Sequence, residues 1–372
     1  MRLRSKIAIA AGAAATMIAT TAAAFPAVPV DRSQPFPELT APALAARYAE
    51  DSRMIAEDAR AASRAGHQGL ARSLDAMRGE HFIDFNPAGQ GLAVEVIGNL
   101  AQATRVAVIV PGSDTTLATF DSRGTASPGG AAAALARQVR ELNPGARLAI
   151  IAWLGYAAPA TISPGVLTSG DAGQGADALR PFVDDLAHRG RQVALICHSY
   201  GSVVCGLAAP RLPVTDIAVV GSPGMDAASA AALDTTARVW AGRGTGDWIR
   251  YAPHVRFLGL GFGPDPMNPA FGARIFDAGR GGHSGYFRPG SISLRNLAYI
   301  ALGDPGRVTE VTGSIAATGA TSTAAATTAT RAVEAIGTTT ETGAATATGT
   351  TATGTTTATR TTTATRTIGG AR

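Results

Sequence analysis

Residues 193–204 read Val-Ala-Leu-Ile-Cys-His-Ser-Tyr-Gly-Ser-Val-Val and join two patterns without a linker. The first five residues form a short, continuous apolar run, which is typical of a strand that is buried on both faces. A helical pattern begins at Gly201, two residues after Ser199. A buried strand that passes at once into a helix predicts a βα unit, and such units build a mostly parallel sheet covered by helices.

Short apolar runs broken by Gly and Pro recur from Phe82 onward. Eight runs are candidate strands: Phe82–Phe85, Ala93–Ile97, Val106–Val110, Leu148–Trp153, Val193–Cys197, Ile217–Val220, Val239–Gly242 and Arg274–Asp277. Helical patterns separate most of them, at Gly129–Leu142, Ala176–Arg189, Gly201–Ala209, Met225–Leu233 and Ile292–Leu302. The later runs are continuous rather than alternating, which predicts an α/β fold with a mainly parallel sheet. The turn-rich link 86–91 predicts that the first two strands form an antiparallel hairpin at the sheet edge.

The two ends of the chain have compositions that a packed core does not use. Residues 1–24 have a basic start, an apolar centre and small residues before Phe25, which predicts a secretory signal cleaved near Ala24, with an uncleaved anchor as the alternative. Residues 312–372 include 25 Thr and no aromatic residue, which predicts a disordered tail. Either end could associate with the cell envelope, and the expected location is secreted or envelope-associated.

Two regions lie between these ends. Residues 31–80 carry two helical patterns: one is capped by Thr40 and runs to about Ala65, and the other covers about Gln68 to Met77. We expect this helical pair to pack on the main domain. Residues 81–308 hold all eight candidate strands and are predicted to be that domain.

The net charge of +5 does not indicate a nucleic-acid partner. Arg2, Arg4 and Lys6 supply three positive charges, and residues 312–372 contain four Arg against two Glu, so residues 7–311 are neutral. A nucleic-acid binder needs its positive charge on the folded surface that meets the phosphates. This class of function is therefore excluded.

The chain has two cysteines, Cys197 and Cys205. Two cysteines are too few for a zinc site or a disulfide framework. We interpret them as small buried hydrophobic residues. No metal site and no cofactor are predicted.

The residue types around Ser199 indicate covalent chemistry. Ser199 has a small residue two positions away on either side, Cys197 and Gly201, between a strand and a helix. This is the pattern of a nucleophile elbow, a tight turn that projects a serine toward the positive end of a helix. The Tyr200 N–H is the expected first oxyanion donor. His198 is predicted to be structural, because adjacent residues in so sharp a turn point apart.

A serine nucleophile needs a histidine base and a carboxylate that orients it, and after an elbow the acid precedes the histidine in the chain. Of the two downstream histidines, His283 lies among glycines after the last strand and is the predicted base, whereas His254 is predicted to be surface structure. Asp247 closely follows the strand that ends at Gly242 and is the predicted acid. Asp226 is the main alternative, although an N-cap role fits it better.

Two further segments follow strand ends on the same edge of the sheet. In the loop 110–116, the N–H of Ser113 or of Asp114 could be the second oxyanion donor, and Ser113 is the predicted one, with an ordinary Pro-Gly turn as the alternative. The stretch 153–171 has no clear helix or strand, and long loops at such edges commonly shape a pocket. Within it, Trp153 and Tyr156 are candidates to line an apolar acyl pocket or to belong to the core.

Five strings in order, Val110-Pro111-Gly112 with Thr115-Thr116, Trp153-Leu154-Gly155-Tyr156, His198-Ser199-Tyr200-Gly201-Ser202, Val220-Gly221-Ser222-Pro223-Gly224 and Gly282-His283-Ser284 with Tyr286, resemble an uncharacterised bacterial branch of the α/β-hydrolase superfamily. The resemblance covers about residues 31–308. It implies an eight-stranded sheet, a helical N-terminal region and a serine hydrolase triad at Ser199, Asp247 and His283. The sequence departs from the family pattern at Cys197, where glycine is usual, and at Ser113-Asp114, where the acidic side chain would oppose an oxyanion unless it turned outward.

These observations predict an exported serine hydrolase, esterase- or lipase-like, that acts on a small-molecule ester or acyl substrate through an acyl-enzyme. One alternative is an acyltransferase of the cell envelope that uses the same three residues. The other is a non-catalytic envelope binding protein with the same fold.

Overall fold

The computed structural model describes residues 35–311, apart from 122–123, 162 and 257–259. The predicted signal sequence, residues 1–24, and the predicted tail, residues 312–372, lie outside the described residues. Within the described part of the chain, no helix combines the length and the hydropathy that a membrane span requires.

Two helices precede the sheet: α1 covers Ala41–Arg64 and α2 covers Gln68–Ala76. Thr40 caps α1, because its Oγ1 accepts a hydrogen bond from the Ala43 N–H at 3.4 Å. The apolar face of α1 includes Leu44 and Ile55, which are buried, and the helix packs against the first strand of the sheet. Both helices begin and end close to the positions that their sequence patterns predict.

Eight strands form one sheet, in the spatial order β1-β2-β4-β3-β5-β6-β7-β8. Their ranges are β1 Phe82–Asn86, β2 Leu92–Ile97, β3 Arg105–Val110, β4 Leu148–Leu154, β5 Gln192–His198, β6 Val214–Val220, β7 Arg238–Gly242 and β8 Arg274–Ile275. β2 pairs antiparallel with both β1 and β4, and all the other pairs are parallel. The predicted edge hairpin and the mainly parallel α/β sheet are confirmed.

Four further helices cover the two faces of the sheet: α3 Pro128–Leu142, α4 Gly170–His188, α5 Gly201–Ala208 and α6 Ile292–Leu302. α3 and α6 pack on one face, and α4 and α5 pack on the other. In β5, Leu195 belongs to one of the two resulting cores and Ile196 to the other. Burial on both faces is the reason that the central strands are continuously apolar.

The predicted helix Met225–Leu233 is wrong. Only a 3₁₀ turn, Ala231–Leu233, forms there, and Asp226 has a φ of 56°, in the left-handed region. The Asp226 N–H donates to the carbonyl of Phe262, and its carboxylate pairs with Arg256 at 2.6 Å. These long-range contacts outweigh the local preference of an alanine-rich segment that offers little apolar surface to bury. The N-cap role predicted for Asp226 is wrong for the same reason.

The interpretation of the cysteines as two separate residues is also wrong. Cys197 and Cys205 form a disulfide, and both are fully buried. Cys197 lies near the end of β5 and Cys205 lies in α5, with their Cα atoms 6.5 Å apart. The tight turn between strand and helix brings them together, so that the disulfide links the two elements that hold Ser199.

Candidate active site

The residues around Ser199 form a tight turn between a strand and a helix, as the sequence predicts for a nucleophile elbow. β5 ends at His198 and α5 begins at Gly201, so only Ser199 and Tyr200 make the turn. Ser199 has a φ of 53°, a left-handed conformation that is costly for a residue with a side chain. A Cβ on Gly201 would lie 2.5 Å from the carbonyl oxygen of Val110. The turn is therefore closely packed against the end of β3, and only glycine fits at this position.

The three side chains predicted to do the chemistry lie in one hydrogen-bonded line. His283 Nε2 is 2.9 Å from Ser199 Oγ, and His283 Nδ1 is 2.9 Å from Asp247 Oδ1 and 3.1 Å from Oδ2. Asp247 follows β7, and His283 lies in the loop between β8 and α6. The alternative acid, Asp226, is engaged by Arg256 instead. The line can move a proton from the serine hydroxyl to the imidazole.

Asp247 is fully buried and keeps its negative charge through hydrogen bonds. Burial alone would raise its pKa, but hydrogen bonds from His283, the Tyr286 hydroxyl and the Ile249 N–H outweigh burial, and the pKa lies below its ordinary value. The Tyr286 hydroxyl also accepts a hydrogen bond from the Gly244 N–H at 3.3 Å. Asp247 is thus an ionised acceptor that fixes the imidazole through Nδ1.

His198 lies beside Ser199 but faces the histidine loop. Its Nε2 donates to the carbonyl oxygen of His283 at 2.7 Å, and the two ring centroids are 4.9 Å apart. Burial, followed by the nearby His283, lowers the pKa of His198 to about 4. The ring is therefore neutral at ordinary pH and holds the backbone of His283, in line with the structural role predicted for it.

The loop after β3 runs alongside the elbow. A Cβ on Gly112 would lie 2.7 Å from the Ser199 Cβ and 3.2 Å from the Tyr200 nitrogen, so the two segments are in close contact. The Asp114 N–H donates to Pro159, which leaves Ser113 as the nearby donor of this loop. The Asp114 carboxylate accepts hydrogen bonds from the Thr161 N–H and hydroxyl, at 2.9 and 2.6 Å. The acidic side chain is therefore occupied by Thr161, and Tyr200 and Ser113 stay the predicted oxyanion donors.

A cavity of about 650 Å³ opens over Ser199 and His283. Its size lies within the range of about 300–1,000 Å³ that is usual for small-molecule sites. Its lining includes residues 111–115, 126–128, 166–167, 252–253 and 260–262. The predicted pocket loop 153–171 contributes Val166 and Leu167, and Phe262 lies on another wall. Most of the lining is apolar.

The mouth of the cavity carries large exposed apolar side chains. Leu167, Trp248, Val255 and Leu260 line the cavity, and each is more than half exposed. Tyr251, in the 3₁₀ turn Trp248–Tyr251, is 80 % exposed. We call these five residues the apolar rim. Trp248 also lies against His283, with the two ring centroids 4.8 Å apart.

Residues 86–257 match the model of a family described as alpha/beta hydrolase. The chain has the α/β-hydrolase fold. Two uncharacterised proteins of Mycobacterium tuberculosis, from strains CDC 1551 / Oshkosh and ATCC 25618 / H37Rv, are each 32 % identical to it over 252 residues. The match covers 58 % of this chain and 37 % of each relative, so the chain spans little more than a third of the relatives' length.

Several solved structures are similar to this chain. A dienelactone hydrolase from Anabaena variabilis is 17 % identical with a TM-score of 0.41, and the match covers 62 % of this chain and 98 % of that one. Esterase LipW from Mycobacterium marinum is 14 % identical with a TM-score of 0.37, covering 73 % and 92 %. An alpha-beta serine hydrolase homologue from Coxiella burnetii is 13 % identical with a TM-score of 0.36, covering 60 % and 96 %.

The pocket role of Trp153 and Tyr156 needs correction. Both side chains are 2 % exposed, they stack with ring centroids 6.1 Å apart, and neither lines the cavity. Trp153 is part of β4, a strand buried on both faces, so its position is set by the core of the fold. Tyr156 acts on the site indirectly, because its hydroxyl donates to the carbonyl of Pro111 at 2.8 Å and supports the loop of Ser113.

Sequence reasoning missed the roles of two residues beside the hydrogen-bonded line. Tyr286 donates to Asp247, and Trp248 covers His283. The only signal for each was adjacency: Tyr286 comes three residues after His283, and Trp248 directly follows Asp247. Adjacency alone does not tell which way a side chain in a loop points.

Proposed function

We propose that this chain is a serine ester hydrolase with Ser199 as nucleophile, His283 as general base and acid, and Asp247 as the orienting carboxylate. The observation that carries the proposal is the unbroken line from Asp247 Oδ1 through His283 to Ser199 Oγ, with 2.9 Å at each contact. The line ends beneath a cavity that would hold the substrate. This matches the geometry that nucleophile and base need for acyl transfer.

In the proposed reaction, Ser199 Oγ attacks the ester carbonyl carbon while its proton passes to His283 Nε2. The tetrahedral oxyanion accepts hydrogen bonds from the N–H groups of Tyr200 and Ser113, with the N-terminus of α5 behind them. The C–O bond to the leaving alcohol breaks as His283 returns the proton to that oxygen. Water then attacks the acyl-enzyme, gives its proton to His283, and releases the acid as Ser199 Oγ regains the proton.

The cavity favours an ester with an apolar acyl chain. Its lining is mostly apolar and offers hydrophobic contact to a hydrocarbon chain. The apolar rim extends this surface to the outside of the molecule. We therefore propose substrates that present a hydrocarbon chain, within an esterase- or lipase-like activity.

We also propose that the protein works outside the cytosol. The buried disulfide between Cys197 and Cys205 supports this, because structural disulfides persist mainly in oxidising compartments. The basic and apolar start of residues 1–24 supports it independently. Fractionation followed by mass analysis of the recovered protein tests the proposal: we expect a chain cleaved near Ala24 with no free thiol, whereas a cytosolic, reduced chain would contradict it.

Labelling with a fluorophosphonate probe tests the enzymatic proposal. We expect one covalent adduct on Ser199 in the folded protein, and none in Ser199→Ala. Ser202→Ala is the matched control, because Ser202 is a buried serine in α5 whose hydroxyl bonds only to the Cys197 carbonyl, and it should label as the wild type does. If the folded wild-type protein takes no label, the result would contradict the proposal and favour a binding protein with this fold.

Hydrolysis of chromogenic esters of graded acyl length tests the substrate class. We expect kcat/KM to rise with chain length until the cavity is filled, by about 3-fold per added methylene, as burial of roughly 0.8 kcal/mol per CH₂ implies. A preference for acetyl esters would contradict an apolar acyl site while leaving the nucleophile assignment intact.

A further inference from the structure

A second group of charged side chains lies away from the line of Ser199. Glu80 precedes β1, Glu95 belongs to β2, and Asp121 follows the 3₁₀ turn Leu117–Thr119. One carboxylate oxygen from each can be chosen so that all three lie within 4.8 Å of one another. Three separate segments thus bring three acids to one point, and we call them the carboxylate cluster.

The carboxylate cluster lacks compensating partners in the part of the chain that the structure describes. Glu95 is 4 % exposed, and its Oε2 is buried and accepts no hydrogen bond. Glu80 Oε2 and Asp121 Oδ2 are likewise buried without a donor. Leaving buried carboxylate oxygens unsatisfied costs free energy, and placing three acids together adds mutual repulsion. Burial, together with Glu80 and Asp121, raises the pKa of Glu95 to about 9.

The space between the acids is kept open by Gly129 in the first turn of α3. A Cβ at this position would lie 1.9 Å from Asp121 Oδ1 and 3.0 Å from Glu95 Oε2. The Gly129 N–H donates to the carbonyl of Phe120, so it does not satisfy the acids. The absence of a side chain at Gly129 lets Asp121 and Glu95 approach this point.

We propose that Glu80, Glu95 and Asp121 bind a divalent, oxygen-preferring cation, for which Ca²⁺ is the best candidate. Ca²⁺ binds oxygen ligands at about 2.3–2.6 Å in flexible geometry, so its ligands can lie up to about 5 Å apart. Three oxygens within 4.8 Å of one another fit around such an ion. The bound charge compensates the buried oxygens that no protein donor reaches, Glu95 Oε2 above all.

The position of the carboxylate cluster links it to the wall of the cavity. Asp121 and Gly129 bracket the segment whose residues Ala126, Ser127 and Pro128 line the cavity over Ser199. A cation held by Asp121 from this segment and by Glu95 from the sheet ties the wall to β2. The ion therefore has a structural role at the site, and no step of the proposed reaction passes through it.

Calorimetric titration and thermal unfolding of the full chain, stripped with EDTA and then dialysed free of chelator, test the proposal. With CaCl₂ as the probe, we expect one binding event per chain with a Kd at or below the ~1 mM of weak extracellular Ca²⁺ sites, and a Tm increase of roughly 5 °C at saturation. MgCl₂ should bind more weakly. Absence of heat and of any Tm change up to about 10 mM Ca²⁺ overturns the proposal.

Variants make the test specific. In Glu95→Gln, which removes one carboxylate ligand, we expect Ca²⁺ affinity to fall at least ~10-fold and the Tm increase on adding Ca²⁺ to shrink accordingly. Glu57→Gln makes the same substitution at an exposed position on α1 and should bind Ca²⁺ as the wild type does. If Glu95→Gln does not fold, Glu80→Gln replaces it.

Equal Ca²⁺ responses in the cluster variant and Glu57→Gln overturn the proposal. Repeating the titration in Ser199→Ala keeps the result independent of the proposed activity.

Discussion

The single hydroxyl of Tyr286 determines how well Asp247 can hold the imidazole. Tyr286→Phe removes the hydroxyl that donates to Asp247 Oδ2 and accepts from Gly244. We expect kcat/KM for an ester to fall about 10-fold with KM nearly unchanged, since a hydrogen bond to a buried charge contributes ~1.5–3 kcal/mol. Steady-state kinetics check this.

Tyr299→Phe is the matched control for Tyr286→Phe. Tyr299 is also a buried tyrosine, on α6, and its ring lies under the guanidinium of Arg307. We expect this variant to keep wild-type kinetics. Equal losses in the two variants would mean that Tyr286 contributes to general packing rather than to the position of Asp247.

The neutral ring of His198 predicts a pH dependence of stability. Its pKa is lowered to about 4, so between pH 6.5 and 4 the unfolded chain binds a proton that the folded chain does not. Its contribution to the free energy of unfolding is complete above pH 6.5 and is lost as the pH falls toward 4. His198→Gln keeps an N–H donor for the His283 carbonyl but has no group that titrates in this range. Between pH 7 and pH 4 we expect its free energy of unfolding to fall by about 2–3 kcal/mol less than that of the wild type.

Urea denaturation at pH 7, 5 and 4 measures this difference. His188→Gln, at an exposed position at the end of α4, is the matched control and should follow the wild type across the range. Parallel stability curves for the wild type and His198→Gln would show that the folded protein accommodates a charged ring at this position.

At the scale of elements, the contact between the elbow and β3 depends on one missing side chain. A Cβ on Gly201 would lie 2.5 and 2.6 Å from the carbonyl oxygens of Val110 and Pro111, both of them backbone atoms. We expect Gly201→Ala to lower the free energy of unfolding by ~2 kcal/mol or more and to lower kcat, because Ser199 moves with the turn. Thermal unfolding and ester hydrolysis check both effects.

Gly173→Ala separates this steric effect from the general effect of replacing a glycine in a helix. A Cβ on Gly173 in α4 would meet nothing within 4 Å. We expect this variant to gain about 0.5–1 kcal/mol in stability and to retain its activity. If Gly201→Ala were also neutral or stabilising, the close packing of the elbow on β3 would not be a requirement of the fold.

The central strands could be predicted from the sequence because their burial is uniform. β5 is buried on both faces, so its apolar run indicated a central strand without further information. The helix predicted from Met225 failed because Asp226 is held by Phe262 and Arg256, whose positions no local pattern contains. The same holds for the disulfide, because it depends on the tightness of the turn at Ser199 rather than on the spacing of the cysteines.

At the scale of the whole molecule, chain order located the line of Ser199, Asp247 and His283, but it could not give the surroundings of that line. The predicted order of acid and histidine follows from the direction in which the strands are added to the sheet. No such rule predicts the carboxylate cluster, because Glu80, Glu95 and Asp121 come from a turn, a strand and a loop with no characteristic spacing. The apolar rim likewise combines Leu167 with Trp248, Val255 and Leu260, which are far apart in the sequence and meet only at the cavity.

The apolar rim predicts how the whole molecule behaves at a lipid surface. Tyr251 is 80 % exposed beside the cavity mouth, and burial of such a ring in an interface contributes ~1.5 kcal/mol or more. We expect Tyr251→Ser to weaken binding to phospholipid vesicles about 10-fold and to lower hydrolysis of an emulsified long-chain ester, while hydrolysis of a soluble short-chain ester is unchanged. Vesicle flotation and parallel assays on the two esters measure these effects.

Val311→Ser controls for the loss of exposed apolar surface as such. Val311 is 51 % exposed and does not line the cavity, so this variant should bind vesicles and hydrolyse both esters as the wild type does. Because the hydrogen bonds of the line join only Ser199, His283 and Asp247, a selective loss on the emulsified ester assigns the rim to docking rather than to chemistry. Equal effects in Tyr251→Ser and Val311→Ser, or losses on both esters, would contradict a rim that holds the cavity against a lipid surface.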